Sequence, residues 1–228
     1  MDERQVLSEL ESLGSEQTRK TYRRHGVGEK QFGVSFAGLG KLQKKLKTNH
    51  DLAQKLWATG IHDAQILATM IADPTQMRSR EIDTWSKSLS NYVITDALAG
   101  LVGKTPLAQE KGANWTRSKD EWIGSAGWQI VSNLAQRDTS LPDSFFQPYL
   151  ETIEADIHKR KNRVRHAMNG ALIGIGSRNS KLEKQALAVA AKIGKVEVNH
   201  GDTGCKTPDA AAYILKTVAH KQARAAKA

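Results

Sequence analysis

The 228-residue chain holds one cysteine, Cys205, so no internal disulfide framework is open to it. It lacks any apolar run of about 18 residues, and no membrane span is expected. The opening stretch MDERQVLSELESLGSEQ is acidic and amphipathic, without the basic start and apolar core of a secretory signal. These absences favour the cytosol, with association to the nucleoid if the source is bacterial. No GxSxG, Walker A or HExxH sequence is present, and Gly174-Ile175-Gly176 is not a dinucleotide fingerprint. No cofactor is expected. Acidic residues are also in deficit, with 24 Asp and Glu against 34 Lys and Arg, a formal charge of +10. Such a surplus favours a polyanionic partner, nucleic acid before membrane. The alternative is a basic protein with no such partner.

A sustained period of two is missing as well, so no real sheet is predicted. The one candidate strand, residues 195–198 (KVEV), is too short to carry one. Helical periodicity dominates instead. Val164, Ala167, Met168, Ala171, Leu172 and Ile175 fall on one helix face. Leu182, Ala186, Val189, Ala190 and Ile193 repeat the pattern, as do Ile61, Ala64, Leu67, Ala68 and Ile71. Ala210, Ala211, Ile214, Leu215 and Val218 form a fourth stripe. Breakers such as Gly14-Ser15, Asn49-His50, Asp73-Pro74, Thr105-Pro106 and Gly176-Ser177 cut the chain into helices of ordinary length. Short connections favour antiparallel neighbours, and a string of such hairpins predicts an all-α solenoid over a compact bundle. One domain over residues 1–228 is expected, with a basic tail at 220–228 that frays.

Few constellations carry chemistry. His200 and Cys205 lie close in VNHGDTGCKTPDA, but two candidate ligands do not make a metal site. That stretch reads as a loop in which Thr207 caps the last helix and Pro208 opens it. Basic clusters say more. Lys41, Lys44, Lys45 and Lys47 share a helix. Lys159, Arg160, Lys161, Arg163, Arg165 and His166 open another, where cations oppose the helix dipole. Either an external phosphate meets them or they form a solvated face. Val93, Ala97, Leu98, Leu101 and Val102 read as a buried stripe, leaving Tyr92 and Asp96, four apart, together on another face. A ring beside a carboxylate can cradle a cation, or it can be local packing with a surface charge.

Three stretches give the chain a family likeness: residues 22–27 (YRRHGV) followed by Phe36 to Leu46; residues 55–68 (KLWATGIHDAQILA); and residues 91–96 (NYVITD) with Trp122 and Trp128 downstream. In these the chain resembles the AlkD-like DNA alkylation repair proteins, helical-repeat DNA glycosylases and their relatives. The resemblance implies a right-handed α-superhelix of HEAT-like antiparallel hairpins whose basic concave face holds double-stranded DNA. It implies hydrolysis of the N-glycosidic bond of cationic N3- or N7-alkylpurines. It places the family's catalytic aspartate on Asp96 and an aromatic, tryptophan in the best-known members, on Tyr92. Trp122 and Trp128 are candidates for aromatic support. The family's arginine falls on Ser125 and its second aromatic on Gly170, two departures. Lys41, Lys44, Lys45, Lys159, Arg160, Arg163 and Arg165 are expected phosphate contacts from their charge alone. The protein is expected to act as a monomer. The alternative is a non-catalytic duplex-binding module of the same family. A protein scaffold, the third reading, leaves the charge unused.

Overall fold

Polar residues with short side chains set where the helices begin. A computed structural model describes residues 1–226. Among them are thirteen α-helices, two short 3-10 turns and no strand. The helices are α1 (Glu3–Leu13), α2 (Glu16–Arg24), α3 (Phe36–Leu46), α4 (His50–Ala58), α5 (His62–Ile71), α6 (Ser79–Ser86) and α7 (Tyr92–Val102). Then come α8 (Ala108–Trp115), α9 (Glu121–Arg137), α10 (Gln147–Asp156), α11 (Asn162–Gly176), α12 (Ser180–Ile193) and α13 (Ala210–Ala225). Asp2 forms a capping box with Gln5. Ser15, Ser35, Asn49, Asn91, Asp120, Asn179 and Asp209 each accept from a first-turn backbone N–H. No helix among the described residues is long and apolar enough to cross a membrane.

The chain forms two compact units, residues 1–108 with 201–203, and residues 109–200 with the described residues from 204 on. The first is centred on α5. Its Ala64, Ile66, Leu67, Ala68 and Ile71 are fully enclosed, and it packs on α3, α4 and α7. At its start Asp63 is buried, and its carboxylate accepts from the backbone N–H groups of Phe32, Gly33 and Val34 at 2.6, 3.3 and 2.7 Å. This carboxylate holds a non-helical segment whose amides would otherwise be unpaired. Asp63→Ala should therefore cost about 3 kcal/mol or more in chemical denaturation, beyond the loss of one ordinary hydrogen bond. An unchanged unfolding midpoint would show that water replaces it.

The second unit is built on α9 and α11, which approach closely. A Cβ on Gly174 would lie 2.7 Å from Ser132 Oγ, so only glycine admits this contact. The hydroxyl of Ser132 donates to the Gly170 carbonyl at 3.2 Å across the same seam. The stripes read for α11 and α12 are buried at every position. Three others need correction: Ile61, expected on the α5 stripe, stands before that helix and is only half-buried. In α7 the enclosed residues are Ile94, Leu98, Ala99, Leu101 and Val102, while Val93 and Ala97 are only half-buried. In α13 Ala210 and Ile214 are buried, but Leu215 is 51% exposed. The cap of α13 is Asp209 and not Thr207, whose hydroxyl instead meets His200 Nε2 at 2.9 Å. Residues 220–225 of the expected tail continue α13, and residues 227 and 228 lie outside the described residues.

Two histidines tie stability to pH. Burial pushes His62 down to about 4, although the neighbouring Asp63 charge opposes this. Burial also pushes His166 down to about 4, helped by Arg163 and His200. The unfolded chain takes up these protons near the ordinary value of about 6.5, and the folded chain resists until about 4. Stability is thus full above about pH 6.5 and falls as pH drops. The melting temperature should fall by roughly 5 °C or more between pH 7 and pH 5. A flat profile there would show that the folded protein accepts both protons without strain.

Candidate nucleic-acid interface and acid–aromatic pocket

The first turn of α7 is fixed by Asn91, whose side-chain oxygen accepts from the N–H groups of Val93 and Ile94 at 3.0 and 3.1 Å. With Ile94 and Leu98 committed to the core, Tyr92, Val93, Asp96 and Ala97 line a cavity of about 470 Å³. Its other walls are Thr21 and Tyr22 of α2, His25 and Phe36. The Tyr92 hydroxyl is hydrogen-bonded to His25 Nδ1, and the two rings meet edge to face at 5.6 Å. Tyr22 is buried and donates to the Val34 carbonyl at 2.7 Å. Burial, then the Asp63 charge, pushes its phenol up to about 12, so it stays neutral. Phe36 is 55% exposed, an unusual position for a phenylalanine. The pocket is therefore aromatic and nearly apolar, with one carboxylate, Asp96, on the exposed side of α7. Such walls favour a flat or cationic guest.

The structure brings Tyr92 and Asp96 together as their spacing implied. It adds His25, Tyr22 and Phe36. These lie in stretches that carry the family likeness, but nothing in their spacing relates them to Tyr92, which is 67 residues from His25.

The expected phosphate contacts divide by what they touch. Lys41 and Lys44 are exposed on α3. Lys45 pairs with Glu9 at 2.9 Å. In the second unit Lys159 pairs with Asp156 at 3.3 Å. Arg160 donates to the Thr116 and Ser118 carbonyls at 2.8 and 3.3 Å, bracing a loop. The dense cluster does not open one helix. Residues 157–159 form a 3-10 turn, and α11 starts only at Asn162. Its N-terminus already meets an internal anion, since Glu121 accepts from the Arg163 N–H at 2.7 Å. Arg163 and Arg165 stand half-buried on its first turns. Trp122 is half-buried, whereas Trp128 is fully enclosed, its ring against Tyr149 at 5.8 Å. Ser125 is buried, its hydroxyl 3.4 Å from the Arg163 carbonyl. No described atom would lie within 4 Å of a Cβ on Gly170, so α11 is open on the side where that Cβ would point, although its neighbours Asn169 and Ala171 are buried. No group of three or more metal-ligating side chains occurs among the described residues.

Thirteen helices among the described residues, an acid–aromatic pocket and a strong cationic surplus make this a helical protein suited to a polyanionic partner. The chain belongs to the DNA alkylation repair enzyme family, whose sequence model matches residues 6–214. Two curated relatives, the uncharacterized protein Lmo0209 of Listeria monocytogenes and the uncharacterized protein Lin0241 of Listeria innocua, are each 31% identical to it. Each match covers 93% of this chain and 95% of the relative. A solved structure is similar with a TM-score of 0.89 and 32% identity, covering 97% of this chain and 95% of that one. It is described as one of a new family of proteins related to the HEAT-like repeat DNA glycosylases with affinity for branched DNA structures. The fold is thus of the HEAT-like repeat type.

Proposed function

We propose that this protein is a monomeric DNA-binding repair protein of the cytoplasm that excises cationic N3- or N7-alkylpurines from double-stranded DNA. The observation that carries the reading is the Asp96 carboxylate beside Tyr92 in an aromatic pocket. Alkylation places positive charge on the purine and makes it a good leaving group. As the N-glycosidic bond breaks, its electron pair neutralises the base and the sugar becomes an oxocarbenium ion. Asp96 stabilises that charge and orients a water, which adds to the anomeric carbon while its proton passes to solvent. The ring of Tyr92, held by His25, lines the cation's flank. Lys41, Lys44, Arg163 and Arg165 contact phosphates and set the register.

The test is release of free alkylpurine from methylated duplex DNA, run long enough to resolve a slow rate above spontaneous depurination. Release above that background is expected. A second reading, a non-catalytic DNA-binding module, is favoured by two observations. Ser125 is buried where the family resemblance has an arginine, and Gly170 carries no ring. The solved relative's described affinity for branched DNA supports the same reading. No release, together with tighter binding to a branched junction than to linear duplex, would select it.

A further inference from the structure

The cavity at Tyr92 and Asp96 has a second side that stabilising a sugar cation leaves unused. At about 470 Å³ it falls in the size range of small-molecule sites. Helix α7 supplies the side that carries Asp96 and Tyr92. The other side comes from α2, its C-cap His25 and the first residue of α3, Phe36. Phe36 is not needed for the fold there. The core takes Leu39 and Leu42 from α3 and leaves Phe36 more than half exposed. Nor does the start of α3 call for a ring. Ser35 caps it by accepting from the Gly38 N–H, and an acidic residue would suit the first turn better. One exposed apolar side chain is ordinary by itself. This one borders a cavity lined by three more aromatic rings, those of Tyr22, His25 and Tyr92, and by one carboxylate. An accessible ring and a carboxylate on one cavity offer a flat cation both stacking and countercharge. Lys20 and Arg24 are exposed one turn apart on α2, next in sequence to the lining residues Thr21 and His25. They can meet phosphates on either side of a guest nucleotide.

We propose that Phe36 is the residue that selects the alkylated base: the cationic purine leaves the base stack and lies against the Phe36 ring, with its charge toward Asp96. The guest's class, a cationic alkylpurine, is taken from the excision reading, on which this rests; the selecting residue and the extrahelical position of the base go beyond it. A base inside a duplex shows only its edges in the grooves, so a protein ring stacks on it only once it is out of the stack. Extrusion costs least for a damaged base, which adds to the selection. Once the base is seated, its sugar stands at the mouth of the cavity, within the field of the Asp96 carboxylate. The same cationic base has two sources, a free alkylpurine nucleoside or a nucleotide in a DNA strand.

The test titrates the full chain with two matched pairs of probes. One pair is 7-methylguanosine, with a fixed positive charge on its imidazole ring, and neutral guanosine. The other is a duplex with a single 7-methylguanine on a 2′-fluoro sugar, which keeps the glycosidic bond intact, and the same duplex with guanine there. Wild type is compared with Phe36→Leu, which keeps apolar bulk without a ring, and with Phe36→Tyr, which restores the ring. Phe36 lies outside the core, so both variants keep the fold by circular dichroism. A preference of about tenfold for the methylated probe is expected in wild type, lost in Phe36→Leu and kept in Phe36→Tyr. Preference in the nucleoside pair identifies free alkylpurine as a guest, and preference in the duplex pair alone identifies a strand. In the duplex, a 2-aminopurine beside the modified site should brighten on binding as its neighbour leaves the stack. No preference in either pair, or a preference that Phe36→Leu retains, overturns the proposal. So does a duplex preference without the fluorescence rise, since the base is then read in place. A Phe36-dependent preference with no base release in the excision assay would sink excision and leave this site standing. Base release that Phe36→Leu leaves unchanged, with no preference in either pair, would do the reverse.

Discussion

Raising the salt concentration fourfold should weaken duplex binding by roughly several hundredfold. Each phosphate neutralised releases condensed counterions, and log affinity falls with log salt at about −0.9 per contact. About five contacts give that drop. The formal charge of +10 and the cations of α3 and α11 motivate the number. Lys45, Lys159 and Arg160 are occupied within the protein, so Lys41, Lys44 and Arg165 carry more of the expectation than charge counting assigns them. Replacing Arg163 and Arg165 together by Ala should flatten the slope by about two. The protein should stay folded, because the buried stripe of α11 runs through Val164, Ala167 and Met168. A salt-independent affinity would remove the nucleic-acid reading, and a large loss of thermal stability in the double variant would show that these arginines serve packing.

Asp96→Asn should keep the fold and DNA affinity and lose most excision. Removing a dominant electrostatic stabiliser costs about 3–4 kcal/mol, or a hundredfold or more in rate. The exposed position of Asp96 makes the exchange structurally mild. Binding should hold or tighten, since a negative charge beside the phosphates is removed. Tyr92→Phe should cost much less, because the ring face survives although the hydroxyl's hydrogen bond to His25 is lost. Equal rates for wild type and Asp96→Asn, measured as single-turnover base release, would move the carboxylate's role elsewhere.

The helices were legible in the sequence where apolar and polar residues alternate clearly. Residues 164–175 and 182–193 show it, and every position assigned to the core there is buried. Helix α7 is YVITDALAGLV, apolar almost throughout, so periodicity does not resolve its inward face: Leu98, Leu101 and Val102 are buried as expected, while Ile94 is enclosed in place of Val93 and Ala97 is only half-buried. At the start of α13 a proline suggested a cap at Thr207, but Asp209 lies beyond that proline and its carboxylate accepts from the Ala212 N–H at 2.8 Å. The pairing of Tyr92 with Asp96 was legible because both sit one turn apart on one helix. His25, Asp63 and Glu121 were not. Each acts on a partner about 30 to 70 residues away in sequence, a relation that local pattern cannot express. The positive start of α11 suggested an external anion, and the carboxylate that meets it comes from α9.

The central claim is that the pocket at Tyr92 and Asp96 is complementary to a cationic sugar in DNA. The direct measurement is the affinity of the protein for two duplexes that differ at one site, a cationic aza-sugar and a neutral abasic analogue. Transition-state charge mimics bind about a hundredfold tighter or more when the site is built for that charge. At least about a tenfold preference for the cationic duplex is expected, abolished in Asp96→Asn. Equal affinity of the wild-type protein for the two duplexes, at a salt concentration where both bind, would contradict it.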